Sequence, residues 1–443
     1  MNAKDVRKNN LSILPVSDFC KMFLKTIWFV FISLFLFIYL YMNAAVWVNL
    51  EPPKSVLMTL GKLLYPNIIV QTTALNILFI LVIIVLFLMK KKIFRVLNVV
   101  LLFVVSLSLI NNSVFAYHLC NQNIINAKGE EVILSGLLAN KGEAHFNEYD
   151  LTQRAKKYNN SINQLTIYTP NNNNKKHTCI VYLPYGNWKI HSDLSIFEYL
   201  KNTMLREGYS FCFLSGRTRL ETDIKGIVRD LKYGVSYLNK VKGEYGIENI
   251  VLSGGSAGGH LALVTANSRN VPEYRIDENV QQHFNVDGVI SFYAPVDLNH
   301  DYNYFVNVNN NGLFNKLGNL VYVSQELEDL SDVKTLSEYQ HRLYKGVLGG
   351  APKESKSVYD ITKIENLLSA HTPPTLLIHG THDSMAPQKP SRKLFKFASG
   401  AGYNFSNLEL PNVDHAFDTI FPEYSLVTNR AYYAVIKWLE TIK

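Results

Sequence analysis

A serine between small residues, an aspartate just past an apolar run and a histidine near the C-terminus follow one another along this chain. Together, in that order, they could carry out acyl transfer. Gly254-Gly255-Ser256-Ala257-Gly258 fits the pattern G-x-S-x-G. Small neighbours let a strand turn sharply into a helix there, so that the serine Oγ projects from the bend. The flanks suit this: NIVLSGG reads as a strand and GHLALVTAN as a helix, whose N-terminus favours a developing oxyanion. The competing reading is a tight glycine-rich turn with no chemistry. A serine hydroxyl needs a base to become a good nucleophile, and the base needs an orienting acid. PPTLLIHGTHDSMAP puts Asp383 after a strand, and LPNVDHAFD puts His415 in a loop before the last helix. Asp297, Asp414 and Asp418 compete with Asp383. Asp297 ends an earlier strand and reads as a turn or cap residue, and Asp414 adjoins His415, so its side chain should point elsewhere. His379 and His382 stand before Asp383, the wrong order for the base. His260, one turn past the serine, reads as packing.

Acyl transfer also needs donors for the oxyanion. The backbone amide of Ala257 is one candidate. The second should come from the loop after TCIVYLP, which reads Tyr185-Gly186-Asn187-Trp188. Losing one such donor typically raises the barrier by about 2.7–4 kcal/mol, so this loop decides activity.

These residues have to be positioned by a larger frame. TCIVYLP, SFCFLSG, NIVLSGG, DGVISFYAP and PPTLLIHG read as strands. SIFEYLKNTMLREG, IKGIVRDLKYGVSYLNKV and AYYAVIKWLETI show helical spacing. Strands alternating with helices imply a parallel sheet covered on both faces, and continuous apolar strands fit one buried on both sides. Ligands of such sheets bind at the carboxyl ends of the strands, which is where the candidate residues fall.

The first ~127 of the 443 residues are different in kind. The formal charge of +8 lies entirely there, with 11 basic and 3 acidic residues, while 33 of each cancel in the remainder. A basic groove for nucleic acid therefore has no support. Three stretches free of Lys, Arg, Asp and Glu occur in this part, and each has the ~20 apolar residues that cross ~30 Å of hydrocarbon as a helix. The expected organisation is a membrane region, residues 1–118, with spans at about 26–50, 67–89 and 96–117. A connector (119–160) and a catalytic domain (161–443) follow. A cleaved signal peptide and buried core helices are the competing readings. The basic N-terminus and the KKKIFR loop put both in the cytoplasm by the positive-inside bias and the catalytic domain outside it. Asn98, Ser106, Ser108, Asn111 and Asn112 in the third span are expected to pack against the other two helices.

The blocks YGIENIVLSGGSAGGHLA, VISFYAPVDL, PPTLLIHGTHD and VDHAF resemble the esterase/lipase branch of the α/β-hydrolases, with the hormone-sensitive-lipase-like and BD-FAE-like domains the nearest. The resemblance runs from about Ile162 to the end. It implies an α/β-hydrolase fold, a Ser256–Asp383–His415 triad and an oxyanion hole at the Gly186, Asn187 and Ala257 amides. One departure stands out: the usual HGGGW loop is PYGNW here. Asn tolerates unusual dihedrals, so an amide from Asn187 can still serve. Tyr185 is expected to narrow the acyl side or point into the pocket, with Trp188 beside it. The segment 299–350, rich in Tyr, Phe and Asn, reads as an insertion that caps the pocket or forms its own small core.

The expected function is a membrane-anchored carboxylic-ester hydrolase acting on a small ester. A serine peptidase, an acyltransferase and an impaired binding module on the same fold are the alternatives. No metal-ligand, dinucleotide or phosphate-loop pattern occurs, and no cofactor is expected. Cys179 and Cys212 read as buried free thiols, because a bridge needs close, well-aimed Cβ atoms.

Overall fold

The computed structural model describes residues 39, 65–88, 92–132, 156–159, 164–170, 175–308 and 336–442. Apart from Tyr39, the expected first span at 26–50 lies outside the described residues. So do 309–335 of the insertion and most of the expected connector.

Among the described residues, ten strands form one sheet. They are β1 (Ile124–Ile125), β2 (Glu131–Val132), β3 (Lys156–Asn159), β4 (Gln164–Tyr168), β5 (Thr178–Tyr182), β8 (Ser210–Ser215), β9 (Asn249–Gly255), β10 (Gly288–Phe292), β11 (Thr375–Gly380) and β12 (Phe405–Leu410). A small hairpin, β6 (Tyr185–Gly186) with β7 (Lys189–Ile190), stands apart. The order across the sheet is β2-β1-β12-β11-β10-β9-β5-β8-β4-β3. The six strands from β12 to β8 run parallel. The pairs β4–β8, β3–β4 and β1–β12 are antiparallel.

Because side chains alternate along a strand, each central strand feeds two cores. Cys179, Val181, Ile250 and Leu252 join one, built with α4 (Ile224–Val241), α5 (Ala257–Asn267) and α8 (Gln388–Gly400). Ile180, Tyr182 and Val251 join the other, with α3 (Glu198–Arg206) and α9 (Leu426–Leu439). That double burial is why these strands read as continuous apolar runs. Cys212 pairs in register with Val181 rather than with Cys179, and both thiols are free. Two helices belong to the insertion, α6 (Leu298–Val308) and α7 (Leu336–Leu348).

The N-terminal part contributes α1 (Ile69–Leu88) and α2 (Lys92–Cys120), where the second and third spans were expected. Among the described residues one helical stretch, Leu101–Cys120, is long and apolar enough to cross a membrane; Gln71–Leu81 is a shorter apolar one. The two helices pack together through polar groups. Asn112 Nδ2 donates to Thr73 Oγ1 (2.7 Å) and Thr72 Oγ1 (3.1 Å), and Asn76 Nδ2 donates to Ser108 Oγ (2.9 Å). Many of their apolar side chains, among them Leu78, Leu81, Phe103 and Ile110, are exposed.

The expected connector needs correction. Residues 119–120 are the end of α2, and Ile124, fully buried, belongs to the core. Ile125 pairs with Asn407, extending the sheet beyond β12. The α2 end is thus built into the body. Phe115 and Leu119 are fully buried in the same core as Phe292 and Tyr432. Arg430 Nη2 donates to the Cys120 carbonyl (2.8 Å) and to that of Gln122, and Ser425 Oγ donates to Asn67 Oδ1 (2.7 Å). Apolar burial and the open edge of β12 decide this, and a two-residue strand leaves no periodicity to read.

Candidate active site

β9 ends at Gly255 and α5 begins at Ala257, so Ser256 alone makes the turn. Its φ of 53° and ψ of −123° form a conformation that L-residues rarely adopt. Such strain persists only where the surroundings enforce it. The surroundings here are close: Ser256 N–H donates to the Phe292 carbonyl (3.0 Å), and His260 N–H to that of Ser256 (3.0 Å). A Cβ at Gly254 would collide with the Gly258 backbone, and one at Gly258 with the Leu183 carbonyl. The glycines therefore let the helix fold back on the strands.

Three distant parts of the chain meet at this turn. His415 Nε2 lies 2.9 Å from Ser256 Oγ, and His415 Nδ1 lies 2.8 Å from Asp383 Oδ2. The other Asp383 oxygen accepts the amides of Met385 (2.9 Å) and Ala386 (2.7 Å), which fixes the carboxylate on the β11 end. Burial pushes the Asp383 carboxyl up, but the charges and hydrogen bonds of His415 and His379 outweigh it and hold it well below the usual range. Burial lowers His415, but Asp383 raises it further, so its net shift is upward.

The competing acids are engaged elsewhere. Asp414 accepts from Ser384 N–H (2.7 Å) and from the His415 amide (2.7 Å). Tyr293 OH donates to Asp418 at 2.5 Å. Asp297 accepts the His300 amide (3.1 Å) at the start of α6 and pairs with Lys363 (3.3 Å). His260 packs, with Nε2 3.1 Å from the Thr362 carbonyl.

The loop after β5 is a tight hairpin. Asn187 and Trp188 connect β6 to β7 with φ of 48° and 58°. Two positive φ values in a two-residue connection match the twist of a type I′ hairpin, in which Asn is favoured first. Arg219 pins this turn, its Nε donating to the Asn187 carbonyl (3.1 Å) and its amide to that of Trp188 (3.0 Å). Asn187, Trp188 and Ala257 line a cleft with Ser256 and His415. Pro295, Asp301, Gln340, Leu343, Tyr344 and Met385 form most of the rest of its wall. The Trp188 ring meets Tyr344 edge-on at 5.8 Å, and Asn187 Nδ2 donates to Tyr339 OH (3.1 Å). The insertion helix α7 thus closes over the loop.

One expectation for this loop fails. Tyr185 does not line the cleft. It is 1% exposed, and its hydroxyl accepts from the Gly216 amide (2.7 Å) and donates to the Arg217 carbonyl (3.3 Å). Strand alternation within the hairpin turns the ring into the core. A Cβ added at Gly186 would lie 2.7 Å from His191 Nε2, so a side chain there would have to displace the His191 ring.

Sequence reasoning passed over three neighbours of the site. His379, set aside as a base, stands 3.2 Å from Asp383 Oδ2 with Nε2 2.8 Å from the Ala386 carbonyl. The Tyr293 ring packs edge-on against His415 at 4.8 Å. Asp301 lies in the wall. The first was legible as a polar residue inside an apolar strand; the other two carry no sequence signal.

A mostly parallel sheet with helices on both faces, a serine at a sharp strand-to-helix turn and a histidine bridging it to an acid define an α/β-hydrolase. The BD-FAE family model matches residues 165–397, and the chain belongs to that family. It is a carboxylic-ester hydrolase. Among solved structures, esterase Est2 of the Planctomycetes species Thermogutta terrifontis, with butyrate bound, aligns at 20% identity and a TM-score of 0.47, over 65% of this chain and 94% of its own. The same esterase phosphonylated by sarin aligns at 20% identity and 0.48, with the same coverage. An acetyl ester-xyloside bifunctional hydrolase from Caldicellulosiruptor lactoaceticus aligns at 19% and 0.46, over 64% and 89%. No curated protein sequence matches the chain.

Proposed function

We propose that the protein is a membrane-anchored serine esterase in which Ser256 is the nucleophile, His415 the base and Asp383 the orienting acid. The observation that carries this reading is the unbroken hydrogen-bonded chain Ser256–His415–Asp383, with links of 2.9 and 2.8 Å. In acylation, Ser256 Oγ bonds to the ester carbonyl carbon while His415 Nε2 takes its proton. The tetrahedral intermediate collapses, the bond to the alcohol oxygen breaks, and His415 returns the proton to that oxygen. Water then attacks the acyl-enzyme by the same route and releases the acid. The amides of Ala257 and Asn187 are the proposed oxyanion donors, with the N-terminal end of α5 adding its partial positive charge. Trp188, Leu343, Tyr344 and Met385 make much of the cleft lining apolar, which suits a small acyl group.

The proposed anchor consists of α1, α2 and the apolar segment 26–50, with the N-terminus cytoplasmic and the catalytic domain on the far side. Exposed apolar side chains on α1 and α2 support it, since lipid is the solvent that accepts them. Labelling with a fluorophosphonate and turnover of p-nitrophenyl acetate test the chemistry: both are expected for the native protein and lost in Ser256→Ala. Labelling that survives in Ser256→Ala refutes the assignment. Protease added to sealed vesicles tests the orientation, and protection of the domain from the extracytoplasmic side refutes it.

A further inference from the structure

Two large aromatic side chains of the body share one exposed turn. Phe421 enters the 3-10 turn Pro422–Tyr424 and Tyr424 ends it; they are 57% and 58% exposed. The turn is held in place. Tyr424 N–H donates to the Phe421 carbonyl (3.0 Å). Ser425, fully buried, follows. Its Oγ accepts the Thr428 amide (3.2 Å), which caps α9, and donates to Asn67 Oδ1 (2.7 Å).

Asn67 fixes the height of this turn against the helix pair. It stands in the turn Tyr65–Ile68 that leads into α1. α1 has 20 residues, ~30 Å at the rise of an α-helix, which is the thickness of the hydrocarbon layer. Its far end leads to Lys90, Lys91 and Lys92, charges that suit the opposite face of a membrane. The near end, with Phe421 and Tyr424 tied beside it, therefore falls where hydrocarbon meets headgroups on the body's side. Tyr117, 68% exposed, lies in the last turn of α2 at the same end of the pair. Aromatic rings with an apolar body and a polar edge favour this level. Glu423 between the two is exposed as well, which sets the depth at the headgroups, where a carboxylate stays hydrated. Among the described residues the other exposed aromatic side chains of the body are Tyr237 and Phe397, on α4 and α8. Those helices pack on the opposite face of the sheet from α9.

The same stretch of chain carries His415. Thr428 Oγ1 donates to the Phe417 carbonyl (3.1 Å), so the loop from His415 to Ser425 is tied at both ends to the start of α9 and, through Ser425, to the head of α1.

We infer that Phe421 and Tyr424 form an interfacial contact: through this turn the body rests on a lipid bilayer at headgroup level, beside the place where the helix pair leaves the membrane. The inference rests on the reading of α1 and α2 as membrane-spanning and adds a second contact, made by the body itself. Lipid is the occupant because the turn lies where the exposed apolar faces of α1 and α2 end.

The test uses the full-length protein with Cys20→Ser and Cys120→Ser, which leaves only the buried Cys179 and Cys212. One cysteine is added at a time, Phe421→Cys, Tyr424→Cys, Leu78→Cys midway along α1 or Phe397→Cys, and labelled with nitrobenzoxadiazole. The labelled proteins are reconstituted in phosphatidylcholine vesicles that carry a nitroxide either near the glycerol or near the middle of the acyl chain. At positions 421 and 424 the shallow nitroxide is expected to quench several-fold more than at position 397, and more than the deep one does; at position 78 the deep one is expected to prevail. Quenching at 421 and 424 no stronger than at 397, with 78 quenched, overturns the inference and leaves the anchor standing. Cysteines at 421 that cross-link between two copies without being quenched by lipid overturn it in favour of self-association. No quenching at 78 overturns the anchor reading itself.

Discussion

The helix pair α1–α2 and the catalytic body bury polar groups for opposite reasons. Between the helices, Asn76, Ser108, Asn112, Thr72 and Thr73 bond to one another while leucines and Phe103 face outward. In the body the apolar side chains are inside, and the buried polar chain Asp383–His415–Ser256 is aimed at a cleft. The helix contacts are closed and satisfied, whereas the chain in the body ends on a hydroxyl that is free to react. A polar cluster between outward-facing apolar surfaces fits lipid as solvent, where packing and polar links hold helices together. The body follows the rule for water.

Four variants break or sharpen that contrast. The largest effect is expected for Ser256→Ala, a fall in kcat of about 10⁶-fold with an unchanged unfolding temperature, read by ester turnover and calorimetry. Next is Asp383→Asn, about 10⁴-fold. Asp383 raises His415, and turnover needs the neutral imidazole, so activity falls as pH drops through the raised His415 pKa. Removing the Asp383 charge should move the residual acid limb to lower pH; an unmoved limb would show that the two groups are not coupled. Arg430→Met removes the tie between α9 and the end of α2 and is expected to cost about 1.5–3 kcal/mol in detergent unfolding. It tests whether the two regions share one folding unit. The smallest effect is expected for Asn112→Leu, about 0.6–1.7 kcal/mol from the helix pair with kcat on a soluble ester unaltered. A large loss of activity there would erase the distinction between the two regions.

Several features needed no tertiary structure. The elbow was legible because its glycines answer a local steric demand: a strand cannot reverse into a helix through Ser256 unless the neighbouring backbones approach. That Asp383 and His415 belong with Ser256 was suggested by their order along the chain, and the structure brings the three together; the central strands were legible as continuous apolar runs. The short strands β1 and β3 escaped notice because two to four residues show no period, and they exist only where an edge strand offers unpaired groups. Tyr185 was aimed wrongly because its direction depends on the hairpin made by Asn187 and Trp188, whose paired positive φ values cannot be read from residue types alone.

By itself, the sequence determined what depends on neighbours along the chain: the class of sheet, the sharp turn at Ser256, the apolar helices and where the excess charge lies. The fold alone decided what depends on residues far apart in sequence. That includes the 2.8 Å approach of His415 to Asp383 across 32 positions, the docking of α2 into the body, and the burial of the Tyr185 ring in the core. A contact between distant residues leaves no mark in a sequence, because it is a fact about the space around a side chain.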